Sequence, residues 1–302
     1  MTTSSSKPLR PLKGVRILSL CLNLPGPAAL MRCRQMGATC VKLEPPAPAG
    51  AAPGTSGDPM GLYNRDAYNE LTQGVRLLRA DLKTDAGQKA LHRELAKTDV
   101  LLTSFRPSAL VKLGLTWKAL HKQYPMLNQV AIVGSPSTRA EEPGHDLTYL
   151  AEHGLVTGLD LPPTLYADMG GSLMASEAVL QALLARQHSG KGNLVEVALS
   201  DAAAYLALPR AWGLTKPGAA VGGGHAGYKV YPCKDGRVAI AALEPHFAAA
   251  LGAQAGVVKP NIMTMFAPTT HQAVAKWAQG LTCKELDRLA AEHDIPLYTL
   301  KD

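Results

Sequence analysis

At 302 residues, with 46% hydrophobic and 18% charged side chains, the chain is long for one core, comfortable for two, and too apolar to be disordered. No apolar run approaches the roughly 20 residues of a membrane span. The start, Met1 to Lys13, has no apolar h-region, so a frayed arm in a cytoplasmic protein is expected rather than a signal peptide. The net charge of +7 comes from scattered Lys and Arg without a dense basic run, which disfavours nucleic acid and membrane partners and favours a small phosphate-bearing molecule.

Val15 to Leu20 is a short apolar run, predicted as a strand. Pro25-Gly26-Pro27 turns into a helix from Ala28 to Met36 with Gly37 in the C′ position, and Cys40 to Leu43 is the next strand. This is a βαβ unit of a parallel sheet, and it lacks the GxGxxG that would mark a dinucleotide site. Pro45 to Gly61 reads as a long, mobile loop. Leu77 to Leu82, Val100 to Thr103 and Gln129 to Gly134 are predicted strands, separated by helices over Thr84 to Lys97 and Trp117 to Tyr124. Phe105-Arg106-Pro107 leaves a strand's carboxyl end, where open α/β sheets place ligands. The alternation predicts a doubly wound, Rossmann-like large domain over 1–199.

Further on, a helix from Leu173 to Gln187 precedes an alternating strand over Asn193 to Leu199. A glycine loop, Gly222 to Gly224, leads to a hairpin built from Tyr228 to Tyr231 and Arg237 to Ala242 around Cys233-Lys234-Asp235-Gly236. Helices over Thr270 to Trp277 and Cys283 to His293 and a strand from Ile295 to Leu300 complete a smaller α+β domain over 200–302, with part of the C-terminal end expected to join the large one. Cys21, Cys33, Cys40, Cys233 and Cys283 show no metal-ligand spacing, so free thiols and no metal are expected.

Two stretches carry the chemistry. Gly144-His145-Asp146 puts an imidazole and a carboxylate beside glycine, and Asp168-Met169-Gly170-Gly171 puts a second carboxylate just upstream of the Leu173 helix, whose N-terminal N–H groups favour an anion. Such a pair can move a proton and hold the resulting charge; the same residues also read as a turn histidine and an N-capping aspartate.

The ordered set LKGVRILSL at 12–20, PGPAA at 25–29, GATCVKLEPP at 37–46, RADLKTDAG at 79–87, PGHDLTYLA at 143–151, ADMGGSLMA at 167–175 and YKVYPCKDGRVAIAALEPHF at 228–247 resembles the family III CoA-transferases, and within them the α-methylacyl-CoA racemases. The resemblance implies an interlocked homodimer acting on an acyl-CoA thioester, with coenzyme A as part of the substrate and no separate cofactor. It implies His145 and Asp168 as the two acid/base groups flanking the α-carbon, Glu244 assisting, and backbone N–H groups near Met169 and Gly170 receiving the enolate oxygen. Lys42, Arg76, Arg79, Ala80, Asp81, Leu82, Arg106, Gly144, Asp146 and Tyr149 are the expected coenzyme A contacts. Gly170 and Gly171 would leave room for the acyl chain. The transferase branch implies a different reaction, with Asp168 as nucleophile; a member that only binds coenzyme A is the third alternative. The chain departs from the family pattern at Pro45, where an arginine is common, at Gln73-Gly74-Val75, and in a short His145-to-Asp168 segment.

Overall fold

The structure, a computed structural model, describes residues 9–52, 55–261 and 263–301. Packing divides the chain into two units, Met1–Ala207 and Leu208–Asp302.

The first unit runs β1 Arg16–Ser19, α1 Pro25–Gln35, β2 Thr39–Glu44, α2 Met60–Tyr63, α3 Arg65–Thr72, β3 Arg76–Arg79, α4 Asp85–Leu95 and β4 Val100–Thr103. It continues through α5 Pro107–Lys112, α6 Trp117–Gln123, β5 Asn128–Val133, α7 Asp146–Glu152, α8 Tyr166–Ser189, β6 Leu194–Ala198 and α9 Leu199–Leu206. Six strands form one parallel sheet in the order β3-β2-β1-β4-β5-β6. This is the doubly wound order, with its switch point between β1 and β4.

Alternation along the strands builds a core on each face. Ile17, Cys40, Val100, Leu102, Val130 and Ile132 face α1, α7 and α8, while Leu18, Val41, Leu43 and Leu101 face Leu91 and Leu95 of α4 and Leu120 of α6. Small residues let α8 pack closely: a Cβ on Gly171 would meet Leu199 Cδ2 at 2.3 Å, and one on Gly170 would meet Ala202 Cβ at 3.3 Å. The two glycines therefore seat α8 against α9, and the space expected there for an acyl chain is filled by helix packing.

Three further expectations change. The helix carrying Asp168 begins at Tyr166, not Leu173. Residues 9–13 are not frayed, since Leu12 is buried in the core and its N–H donates to the Met36 carbonyl at 3.0 Å; residues 1–8 of that arm lie outside the described residues. The Pro45-to-Gly61 stretch, described except for 53 and 54, ends in an anchored segment. There Ser56 Oγ donates to Glu44 Oε2 at 2.8 Å, and Lys42 ion-pairs with both Glu44 and Asp58.

The second unit comprises α10 Leu208–Ala211, β7 Tyr228–Cys233, β8 Gly236–Ala241, α11 Pro245–Gln254, α12 Pro268–Gln279, α13 Cys283–His293 and β9 Leu297–Lys301. Its antiparallel sheet β7-β8-β9 packs on α11, α12 and α13 through Tyr231, Val238, Ile240, Leu251, Val274 and Leu286. Among the described residues, no helix is long and apolar enough to cross a membrane.

Candidate active site

A cavity of about 690 Å³ opens at the switch point of the first unit's sheet. Its walls come from the segments leaving strand carboxyl ends: Leu22 to Pro25 after β1, Ser104 to Arg106 after β4 and Gly134 after β5. Met60 and Tyr63 close one side, and Pro143 to Leu147, Tyr149, Leu165 and Asp168 the other.

His145 sits at the N-cap of α7 and is exposed. Its backbone is fixed by Thr148, whose Oγ1 donates to the His145 carbonyl at 2.7 Å and accepts the His145 N–H at 3.1 Å. The imidazole is thus carried on a defined backbone at the wall of the cavity. Asp146, the next residue, is buried, and its Oδ1 accepts the Asp168 N–H at 3.0 Å. One carboxylate on α7 therefore caps the first turn of α8, the turn that carries Asp168.

That cap places Asp168 inside the helix's first turn and beside a second negative charge. Burial, and then Asp146, push Asp168 up to about 6, against a smaller opposing effect of His145. A carboxyl group poised near neutrality beside an imidazole can both take and return a proton. The Met169 N–H, expected to receive an enolate oxygen, is already committed to the Leu165 carbonyl at 3.0 Å.

Tyr149 fills the cavity floor between two glycines. A Cβ on Gly134 would come within 2.3 Å of its hydroxyl and one on Gly144 within 2.6 Å, so neither position tolerates a side chain while the ring stays. Burial raises the Tyr149 phenol, the Asp168 charge adds to the rise, and Arg106 opposes it.

Thus His145, Asp168, Arg106, Gly144, Asp146 and Tyr149 line one cavity. The remaining expected contacts sit elsewhere. Lys42 is fully buried and engaged by Glu44 at 2.7 Å and by Asp58, which leaves its ammonium no face for a phosphate. Arg76 pairs with Glu94 at 2.5 Å, sharing that carboxylate with Arg16 at 2.6 Å. Arg79 is exposed at the end of β3, and the Ala80 N–H donates to the Glu44 carbonyl at 3.0 Å. Asp81 turns the chain, accepting the Lys83 N–H at 3.0 Å. Leu82 lines a second cavity of about 720 Å³, with Lys83, Lys112 and Phe105. Glu244 opens α11 in the second unit, where it is exposed and its carboxylate makes no capping bond to that helix.

Residue reading missed Asn23, Tyr63 and Ser104, which also line the first cavity. Asn23 adopts φ +63, its N–H donates to Asp58 Oδ1 at 3.0 Å, and its Oδ1 accepts the Tyr63 hydroxyl at 3.3 Å. An asparagine three residues after a predicted strand, in a turn before Pro25, was the available signal for the left-handed residue. Tyr63 had none, since α2 is a single turn without periodicity.

Residues 12–302 match CoA-transferase family III. The chain is 29% identical to a succinyl-CoA–D-citramalate CoA-transferase of Chloroflexus aurantiacus, over 99% of this chain and 81% of that protein. It is 31% identical to the α-methylacyl-CoA racemase of Mus musculus, over 80% of this chain and 63% of the racemase, so it spans less than two thirds of that relative. In fold it is similar to a CAIB/BAIF family protein from Brucella suis, at a TM-score of 0.79 and 22% identity over 98% of this chain and 85% of that one. A hypothetical protein from Mycobacterium tuberculosis gives a TM-score of 0.78 at 23% identity, covering 98% of this chain and 86% of that one. The chain belongs to CoA-transferase family III, among whose relatives stand both CoA-transferases and α-methylacyl-CoA racemases.

Proposed function

We propose that the protein is an acyl-CoA racemase or epimerase that exchanges the α-proton of a 2-methyl-branched acyl-CoA through an enolate. The observation that carries this reading is the placement of His145 and Asp168 on the wall of one cavity, with Asp168 raised to about 6. One group removes the α-proton, the thioester carbonyl takes the charge as an enolate, and the other returns a proton to the opposite face. Each transfer contributes typically about 10²–10⁴-fold. Glu244 assists on the carboxylate side, supplied when a second chain completes the homodimer. With the Met169 N–H engaged, the enolate oxygen is assigned to donors contributed with the substrate's own seat, among them Arg106 and the Tyr149 hydroxyl.

The proposed course of coenzyme A puts its thioester end in the first cavity and its phosphates toward Lys83 and Lys112 in the second, a reading supported by Phe105, which lines both. This route takes over from Lys42 and Arg76, whose charges are already paired. The site supplies the acid/base groups from the chain itself and needs no further cofactor, and the cytoplasm is the proposed compartment.

Incubation of each 2-methylacyl-CoA epimer in heavy water tests the reading. Deuterium should enter the α-position without any acceptor acid, and His145→Ala and Asp168→Ala should each abolish it for at least one epimer. Transfer of coenzyme A that depends on a second carboxylate, with no α-deuterium, would establish the alternative in which Asp168 attacks the thioester. That alternative is favoured by one specific observation, the transferase relative aligned over 99% of the chain.

A further inference from the structure

The second unit brings Cys283 to two side chains of a hairpin turn about 50 residues before it in the sequence. Cys233 ends β7, Asp235 sits in the hairpin turn, and Cys283 is the first residue of α13. Cys233 Sγ and Cys283 Sγ lie 3.6 Å apart. Asp235 Oδ1 stands 3.9 Å from Cys233 Sγ and accepts the Cys283 N–H at 2.7 Å. All three ligand atoms fall within 4.8 Å of one another. The spacing of 50 residues between the two cysteines hides this cluster from any motif scan, which is why no metal was expected from the sequence.

The distances suit a particular ion. With Zn–S bonds of about 2.3 Å, two thiolates on a tetrahedral centre stand about 3.8 Å apart. That is close to the separation found here and well beyond the roughly 2.0 Å of a disulfide. Two soft sulfurs and one carboxylate select a thiophilic divalent cation over calcium or magnesium, which take oxygen ligands. We propose that Cys233, Asp235 and Cys283 form a three-ligand site for Zn²⁺ or a similar thiophilic dication, with water as the fourth ligand.

The fold holds the ligands in place without the ion. The Cys283 N–H, at the start of an eleven-residue helix capped by Thr282, fixes the Asp235 carboxylate, and the Leu281 carbonyl accepts the Lys234 N–H at 2.9 Å. Cys283 is buried and Cys233 half-buried, while Asp235 is exposed, so the site has a rigid floor and an open entry. On binding, each thiol gives its proton to solvent and the site carries one net negative charge, faced by Lys301. The ion would tie the β7–β8 turn to α13.

The test is a titration of the reduced, full-length protein with Co²⁺, followed by displacement with Zn²⁺. One equivalent of cobalt should bind with a thiolate-to-metal charge-transfer band and the visible spectrum of a tetrahedral centre, and zinc should abolish both and raise the melting temperature. Cys233→Ser, at a half-buried position, should remove the band. Asp235→Asn should weaken binding by more than the roughly 10–100-fold that losing an outer-shell partner costs. A circular-dichroism spectrum identical to that of the parent protein keeps each variant interpretable. The proposal fails if reduced protein gives no thiolate band, or if the band survives Cys233→Ser and so belongs to other cysteines. It fails equally if peroxide converts the pair to a disulfide at a rate that zinc does not slow.

Discussion

Asp168 has a titration with consequences for both stability and rate. Its raised value means that the folded chain holds this proton more tightly than the unfolded chain does. Stability therefore falls as pH rises from about 4 through about 6 and stays at the lower level above that. Asp168→Asn removes the buried charge, so chemical unfolding near neutral pH should find the variant more stable by about 1–2 kcal/mol, partial exposure trimming a larger nominal gain, with the gap closing near pH 4. In catalysis the sign reverses: the epimer deprotonated by Asp168 needs the ionised form, so its exchange rate should drop as pH falls below about 6. Asp146 separates the two effects. Asp146→Asn keeps an acceptor oxygen for the Asp168 N–H but removes the neighbouring charge, so the acidic limb should move to lower pH at nearly unchanged stability. Asp146→Ala loses the cap as well and should cost about 1 kcal/mol. If both variants keep the parent protein's pH–rate profile, and they melt at the same temperature as each other, Asp146 is not coupled to Asp168 in the way described. Residue types and motif alone made His145 and Asp168 legible. The use of Asp146 was not, because its partner is a backbone N–H on another helix, 22 residues away.

At the scale of elements, the central strands β1, β2, β4 and β5 were readable because burial on both faces demands continuous apolar runs, while the edge strand β6 was readable from its alternation. Val100 to Thr103 and the Cys283 helix coincide with their predicted bounds. The start of α8 was not readable. Two adjacent glycines argue against a helix by propensity, yet these two permit the close approach of α9, and that packing outweighs a cost of roughly 1 kcal/mol each. The short helices α2 and α3 escaped for a different reason: they offer only Met60, Tyr68 and Leu71 to an apolar contact with Ala28 of α1, and a buried polar cluster shares in holding them. Lys42 pairs with Glu44 and Asp58, Tyr68 Oη donates to Glu44 Oε1 at 2.8 Å, and Asp58 Oδ1 accepts the Met60 N–H at 2.9 Å. This cluster sets the wall bearing Asn23 and Tyr63. Lys42→Met leaves two carboxylates buried without their cation and should destabilise the protein by about 3–5 kcal/mol, measured by denaturant unfolding. Where the variant folds, the KM for acyl-CoA should rise more than kcat falls, because the displaced wall binds substrate without touching the reacting carbon. A change confined to kcat would refute that assignment.

For the whole molecule, the open question is what covers its bare apolar side chains. Leu159 and Tyr205 of the first unit and Trp212 and Tyr298 of the second are each more than half exposed, although residues of this kind normally give up about 1.5–3 kcal/mol of burial by staying wet. Scattered exposure of single residues is ordinary; large aromatic residues on both units are harder to leave in water. A second copy of the chain is the proposed cover, in line with the homodimer that the sequence resemblance implies. Sedimentation at micromolar concentration should then give twice the 31.9 kDa of one chain. Tyr205→Glu or Tyr298→Glu, each placing a charge where apolar contact is expected, should shift the protein toward the single chain. On the proposal that a second chain supplies Glu244, the same shift should lower α-proton exchange in parallel, with exchange recovering as protein concentration drives reassociation. A single chain that exchanges the α-proton at an undiminished, concentration-independent rate would show that one copy assembles the whole site, and the case for a second chain's glutamate would fall with it.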